Sequence, residues 1–161
     1  MKKGSTALLR IAGAHMLLLT AAAADQIMKR RVETRFREGE AAILNSHVVI
    51  HRSRNSGAAM NMGQDMPDAV KALSLCAAAA GEISLLRAAA AGDSPAELTG
   101  MALVLGGGAG NIMDRYRQGY VTDYIRLPRL PGRMGKTVFN LGDFMILSGA
   151  ALLITARAFS E

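Results

Sequence analysis

The chain has 161 residues, enough for one domain and too few for a two-domain enzyme. Half of the residues are hydrophobic and 20% are charged, which excludes an intrinsically disordered chain, and a single cysteine, Cys76, excludes an internal disulfide framework and a multi-cysteine zinc site. A net charge of +6 suits an anionic partner, and with four Phe, three Tyr and no Trp to stack on bases that partner is a phospholipid surface before it is a nucleic acid.

Mean hydropathy is only +0.19, low for a chain made of membrane spans, but much of the apolar count is alanine, which adds little hydropathy. Four apolar stretches follow one another, each bracketed by charge: residues 11–24 between Arg10 and Asp25, 69–91 interrupted by Lys71, Glu82 and Arg87, 98–113 between Glu97 and Asp114, and 144–156 between Asp143 and Arg157. A transmembrane helix wants about 20 apolar residues, so a strict count favours a soluble bundle, whereas charges that snorkel from span ends lengthen each stretch. The first stretch also has the layout of a secretory signal peptide, with Lys2, Lys3 and Arg10 ahead of it and Thr20-Ala21-Ala22-Ala23-Ala24 closing it. Helical spacing nevertheless continues past it, with Asp25 and Lys29 one turn apart.

Residues 30–68 form a polar segment that opens with Arg30, Arg31, Arg35 and Arg37 among Glu33, Glu38 and Glu40. Within it Val48-Val49-Ile50 reads as a short strand and Asn55-Ser56-Gly57 as a turn. Residues 116–138, with Pro128, Pro131, Gly132 and Gly135, suit an extended loop or short strands.

The glycines at 106, 107, 108 and 110 fail as a dinucleotide loop because Met113 stands at the last glycine position, and no Lys-Ser/Thr follows to make a P-loop. Close packing of helix backbones is the better use for them. Asn111 and Asp114 share a helix face next to Arg115, which by itself describes a polar helix end with an Asp–Arg pair. Asn140 and Asp143 also share a face, and an Asn cap with an acid three residues on is an ordinary helix start. Asp123 and Asp143, however, put two carboxylates at the mouths of neighbouring apolar elements, where ionisable groups are costly. Two carboxylates in one site share a proton, so one is an acid while the other is a base, the condition for aspartic peptidase chemistry.

Taken together these segments resemble the lipoprotein signal peptidases (signal peptidase II), small bacterial membrane aspartic proteases. The resemblance rests on five motifs in the family's order: Asp25-Gln26-x-x-Lys29; Asn55-x-Gly57-Ala58-Ala59; Gly106-Gly107-Gly108-Ala109-Gly110-Asn111-x-x-Asp114-Arg115; Val121-x-Asp123-Tyr124; and Phe139-Asn140-x-Gly142-Asp143. Departures are Met60 where Phe is usual, Gly108 and Gly142 where alanine is usual, and Tyr124 for Phe.

The resemblance implies an α-helical membrane protein, one peptidase domain over residues 1–161, with four spans near 8–28, 68–90, 96–114 and 139–158 and a small extracytoplasmic β element between the first and second. It implies cleavage of a prolipoprotein before its diacylglyceryl cysteine, with Asp123 and Asp143 as the dyad. One aspartate would draw a proton from water, and the other would polarise the carbonyl and protonate the leaving nitrogen. Asn55, Gly57, Asn111, Asp114, Arg115 and Asn140 would support the dyad or hold substrate, with Asn55 on the substrate backbone, and Asp25 and Lys29 would be structural. No metal or organic cofactor is implied, and the expected partners are the prolipoprotein and membrane phospholipid, with the chain acting as a monomer.

The family places both termini in the cytoplasm and the aspartates near the outer face of the bacterial inner membrane. Only Lys2, Lys3, Arg10, Arg87 and Arg157 then lie inside, so charge bias by itself predicts the opposite orientation. The outer basic loops would instead meet phospholipid headgroups. Among the remaining residues, His47 and His51 read as surface histidines without a third ligand, His15 as a hydrogen-bonded packing histidine, Glu82 as a charge without an obvious partner, and Cys76 as a buried small hydrophobe. Two other readings stay open on sequence: a non-catalytic four-span homologue that binds lipid or lipoprotein, and a secreted helical protein whose first 24 residues are removed.

Overall fold

The computed structural model describes residues 2–58 and 62–159, so Met60 and Ala59 lie outside the described residues. Four helices dominate: α1 (Lys2–Arg35), α2 (Pro67–Ala91), α3 (Pro95–Gln118) and α4 (Leu141–Ala158). Two strands, β1 (Ala41–Ile43) and β2 (Val49–Asn55), lie between α1 and α2, and two more, β3 (Val121–Arg126) and β4 (Val138–Phe139), lie between α3 and α4.

The four strands form one antiparallel sheet in the order β1-β2-β3-β4. The β element is therefore not confined to the connection between the first two spans, as the resemblance implies, and the short strands open to residues 116–138 on sequence are present. The second connection supplies half of it, and the β2–β3 pairing sets Asn55 opposite Val121 and Ser53 opposite Asp123. β2 also runs through Asn55, so the turn begins one residue later, where the Asn55 side-chain oxygen accepts the Gly57 amide at 3.0 Å.

Helix ends follow local chemistry. Ser94 caps α3 in a capping box with Glu97, with Pro95 at the first helical position, and Gly119 closes the helix at φ 83°. α1 runs unbroken through residues 24 and 25, and Arg52 of β2 covers its C-terminal end by donating to the carbonyls of Glu33 (3.1 Å) and Phe36 (2.7 Å).

The side-chain distribution is inverted relative to a soluble bundle. Many large apolar side chains point outward (Leu9 is 72% exposed, Leu73 70%, Ile154 69%), while alanine and glycine make up much of the interior between the helices. Ala14, Leu85 and Ala102 make one buried cluster, and Ala88, Ala89 and Leu98 another. In water that arrangement forfeits the hydrophobic effect, whereas in hydrocarbon it costs nothing and lets backbones approach closely. Cys76 follows the same logic and is exposed rather than buried, because α2 turns that face away from its neighbours.

α3 is the central helix and touches all three others. It meets α4 through reciprocal glycine pairs. A Cβ on Gly100 would sit 2.8 Å from the Gly149 carbonyl oxygen, a Cβ on Gly142 would sit 2.7 Å from the Gly107 oxygen, and the converse contacts are equally closed. Among the described residues α1, α2 and α4 are long and apolar enough to cross a membrane. α3, diluted by glycines and by Asn111, Asp114 and Arg115, does not meet that criterion, and those three polar residues are buried against its neighbours.

Glu82, for which the sequence offers no partner, meets His15 of α1: Nε2 and Oε1 are 2.8 Å apart, and the other ring nitrogen, Nδ1, donates to the Ile11 carbonyl at 2.9 Å.

Candidate active site

The site lies where α3, the start of α4 and the sheet converge, at one end of the bundle. Its foundation is a buried ion network that begins in α1. Lys29, only 1% exposed, places its Nζ 2.7 Å from Asp25 Oδ2, 2.9 Å from Asp114 Oδ2 and 2.7 Å from Asn111 Oδ1. One hydrogen bond to an amide oxygen and two close carboxylates surround the ammonium, and that charge compensation is what makes a buried lysine tolerable. Gln26 adds a bond to the other Asp114 oxygen at 2.8 Å. The simple Asp114–Arg115 pair read from sequence does not form. Adjacent helical residues point about 100° apart, and Arg115 instead donates to the Gly57 carbonyl at 2.8 Å, which ties α3 to the turn after β2.

That network carries the start of α4, whose first three amides lack helical partners. Leu141 N donates to the Tyr124 hydroxyl at 3.2 Å, Gly142 N to Asp25 Oδ1 at 2.9 Å and Asp143 N to Asn140 Oδ1 at 3.0 Å. Each orphan donor is met by a different element: β3, α1 and the cap residue itself. Gly142 permits this because its backbone lies against both Gly107 and Asp25.

Asn140 joins the two candidate carboxylates. Its backbone amide donates to Asp143 Oδ2 at 2.9 Å, closing the capping box, and its side-chain Nδ2 donates to Asp123 Oδ1 at 2.7 Å. The ordinary cap and the functional contact suggested by the sequence are thus the same residue in two roles. Asn55 Nδ2 donates to the other Asp123 oxygen at 3.0 Å, and Asn111 Nδ2 to Asp143 Oδ1 at 3.1 Å. Asn55, expected on a substrate backbone, is here engaged with a carboxylate.

Asp123 is 3% exposed. Burial pushes its carboxyl up to about 7. The nearby charge of Asp143 adds to that push, while the amides of Asn140 and Asn55 and the Lys29 ammonium oppose it. Burial likewise raises the Tyr124 hydroxyl above its ordinary range, so it stays protonated. Both aspartates line a cavity of about 460 Å³ whose remaining wall is largely apolar, including Ala77 and Ala78 of α2, Leu105 and Ile112 of α3 and Leu147 of α4.

Asp123, Asp143, Asn55, Asn111, Arg115 and Asn140 all meet at this cavity. Gly57 and Asp114 stand behind it, and Asp25 and Lys29 lie deeper as its support. Sequence reasoning left three contributors without a role. Tyr124 was legible only as a departure from Phe, and Gln26 only as part of a motif. Thr122 buries its hydroxyl in a bond to Glu33 of α1, fixing β3 beside Asp123, and no local pattern announces it. Among the described residues no group of three His, Cys, Asp or Glu side chains is placed to hold a metal.

Comparisons with known proteins bear on the family and the fold. The family model for signal peptidase (SPase) II matches residues 17–159. The lipoprotein signal peptidases of Brucella ovis and Brucella melitensis biotype 1 are each 33% identical over 138 residues, covering 86% of this chain and 84% of theirs. Two bacterial membrane enzyme structures obtained by the in meso method share the fold. The one at 2.3 Å resolution has TM-score 0.75 and 21% identity over 91% of this chain and 88% of its own, and the one at 1.9 Å has TM-score 0.74 and 20% identity over 93% and 95%. With a family model matching most of its length and relatives at this identity, the chain belongs to the signal peptidase II family.

Proposed function

We propose that Asp123 and Asp143 are the catalytic pair of an aspartic endopeptidase that cuts a prolipoprotein just before its diacylglyceryl cysteine. The observation that carries this reading is the Asn140 bridge, which holds one oxygen of each carboxylate by a different nitrogen at the rim of an apolar-walled cavity. A site so built supplies an acid and a base to one peptide bond. One carboxylate takes a proton from water as its oxygen bonds to the carbonyl carbon. The other, protonated, polarises the carbonyl and protonates the leaving nitrogen as the C–N bond breaks. The apolar wall gives the acyl chains of the substrate a place beside the reacting bond.

On this reading all four helices cross the bacterial inner membrane, α3 sheltered by the other three, with the sheet and the dyad toward the extracytoplasmic face and the basic connections among phospholipid headgroups. Every group of the site comes from one chain, which supports action as a monomer. Replacing Asp123 or Asp143 by Asn and assaying a diacylglyceryl prolipoprotein tests the pair: cleavage is expected to vanish in both, and undiminished cleavage in either refutes it. A cysteine placed at Arg35 is expected to react with impermeant reagents in intact cells, and reaction only with permeant reagents overturns the orientation.

A further inference from the structure

We infer that the aspartate pair is built unequal: Asp143 enters the reaction as the carboxylate that takes the proton of water, Asp123 enters as the acid that protonates the leaving nitrogen, and Lys29 sets this division through Asn111. The inference rests on the peptidase reading above and adds which member holds the proton.

The division begins at Lys29. An ammonium only donates, so the Asn111 oxygen must face Nζ, 2.7 Å away, and the Asn111 NH₂ must therefore face Asp143 Oδ1, 3.1 Å away. The amide cannot turn over without setting N–H against N–H. It is held as a donor toward Asp143 and polarised in that sense by a cation at hydrogen-bond distance. The second Asp143 oxygen accepts the backbone amide of Asn140 at 2.9 Å, and the residue stands at the third position of α4, where the positive end of the helix dipole favours an anion. At the cavity that both aspartates line, its side chain is also the more open of the two, half-buried where Asp123 is buried.

Asp123 is less favoured as an anion. It sits on a strand rather than in the first turn of a helix, is 3% exposed, and receives two neutral side-chain amides, Asn140 Nδ2 and Asn55 Nδ2, neither of them bonded to a cation. Its raised proton affinity agrees with its place in the pair.

The charged and titratable groups facing Asp143 are Asp123 and Tyr124 from β3 and Arg115 from α3, while Lys29 and Asp25 of α1 lie behind Asn111 and Gly142, and the Lys29 charge acts on Asp123 as well. Arg115 is bound to the Gly57 and Asn111 carbonyls and faces both aspartates, so it favours charge on either. Asp25 is neutralised by Lys29 at 2.7 Å. In the reaction the O–H bond of water breaks toward Asp143 as the C–O bond forms. The Asp123 proton passes to nitrogen as the C–N bond breaks, and one proton returning from Asp143 to Asp123 restores the pair.

Carboxyl signals of ¹³C-aspartate in the full-length protein in nanodiscs, assigned by their disappearance in D123N and D143N, test the division without substrate. At pH 6 the Asp123 carbon is expected at the acid position and the Asp143 carbon at the carboxylate position. The reverse order, or both at the carboxylate position, overturns the inference. In N111L, which leaves Lys29 its two carboxylates, the Asp143 carbon is expected to move from its wild-type position. kcat should then fall about tenfold, the size of one charged hydrogen bond, with KM little changed. An unchanged Asp143 signal in folded N111L removes Lys29 and Asn111 from the argument, and if N111L does not fold the wild-type signals still decide the proton's place. Wild-type protein that shows the expected signals and cleaves no prolipoprotein would instead sink the peptidase reading.

Discussion

Gly107 of α3 and Gly142 of α4 face each other with no room for a side chain on either. A Cβ on Gly142 would lie 2.7 Å from the Gly107 carbonyl oxygen and 3.0 Å from Asn140 Oδ1, and a Cβ on Gly107 would press into the Gly142 carbonyl. The contact sets the depth at which the start of α4, and with it Asp143, sits against the central helix. G107A and G142A are expected to lower stability by about 1–3 kcal/mol through overpacking and to cut cleavage further than the loss of folded protein explains. G142A is the sharper case, since alanine is what the resembled family usually carries there. G108A is the control: its Cβ would have no neighbour within 4 Å, so thermal stability should hold or rise by up to about 1 kcal/mol from the better helix former. Thermal midpoints of the three variants, read beside their activities, check the ordering.

Tyr124 makes a second departure from the family pattern useful. Its hydroxyl oxygen accepts the Leu141 amide at 3.2 Å, a bond phenylalanine cannot make. Y124F, although closer to the family pattern, is expected to cost about 0.5–1.5 kcal/mol, the net worth of one hydrogen bond, with faster amide exchange at Leu141. An unchanged midpoint together with unchanged exchange would show that the bond does not hold the helix start.

What the sequence made legible was what depends on local spacing. Asp25 and Lys29, four apart on a helix, do pair, and the Asn140–Asp143 cap is where a capping pattern puts it. What stayed hidden depends on contacts across the chain. His15 and Glu82 are 67 residues apart, so nothing near Glu82 signals its partner. β4 is two residues long and exists only because β3 offers it an edge. α3 reads as a marginal span because its polar face is satisfied by α1, α4 and the β2 turn rather than within its own sequence. The proposed dyad was visible as two acids in motif context, but Asn140 as the group that bridges them required the fold.

Stability should depend on pH through Asp123. Its carboxyl stands at about 7 when folded against an ordinary value of 3.8, so between these values the folded state binds more protons than the unfolded one. The contribution of Asp123 to stability is therefore greatest below the lower value and is lost as pH rises toward 7. The loss is on the order of 4 kcal/mol for a fully buried group, since one pKa unit is about 1.4 kcal/mol. The thermal midpoint is expected to fall between pH 5 and 8. D123N should flatten that slope, and it should be less stable than the wild type at pH 5. There its new NH₂ group opposes either Asn140 Nδ2 or Asn55 Nδ2, whose amide oxygens are held by the Asp143 and Gly57 backbones. A wild-type midpoint that rises over this range would contradict the buried, proton-holding state of Asp123.

The His15–Glu82 pair gives a test of α1–α2 association away from the site. The Ile11 carbonyl fixes a proton on Nδ1, so the 2.8 Å contact between Nε2 and Oε1 holds one further proton, carried by the imidazole or by the carboxyl. In either form the two groups satisfy each other, and each alone would face hydrocarbon without a partner. H15L and E82L are each expected to destabilise the helix bundle, because each strands the other polar group. The double variant H15L/E82L should recover most of the loss, since two apolar groups of similar size replace a pair whose net worth is about 0.5–2 kcal/mol. Unfolding of all four proteins in one detergent, completed as a double-mutant cycle, measures the coupling. Strictly additive losses would mean that the contact contributes nothing to holding α2 against α1.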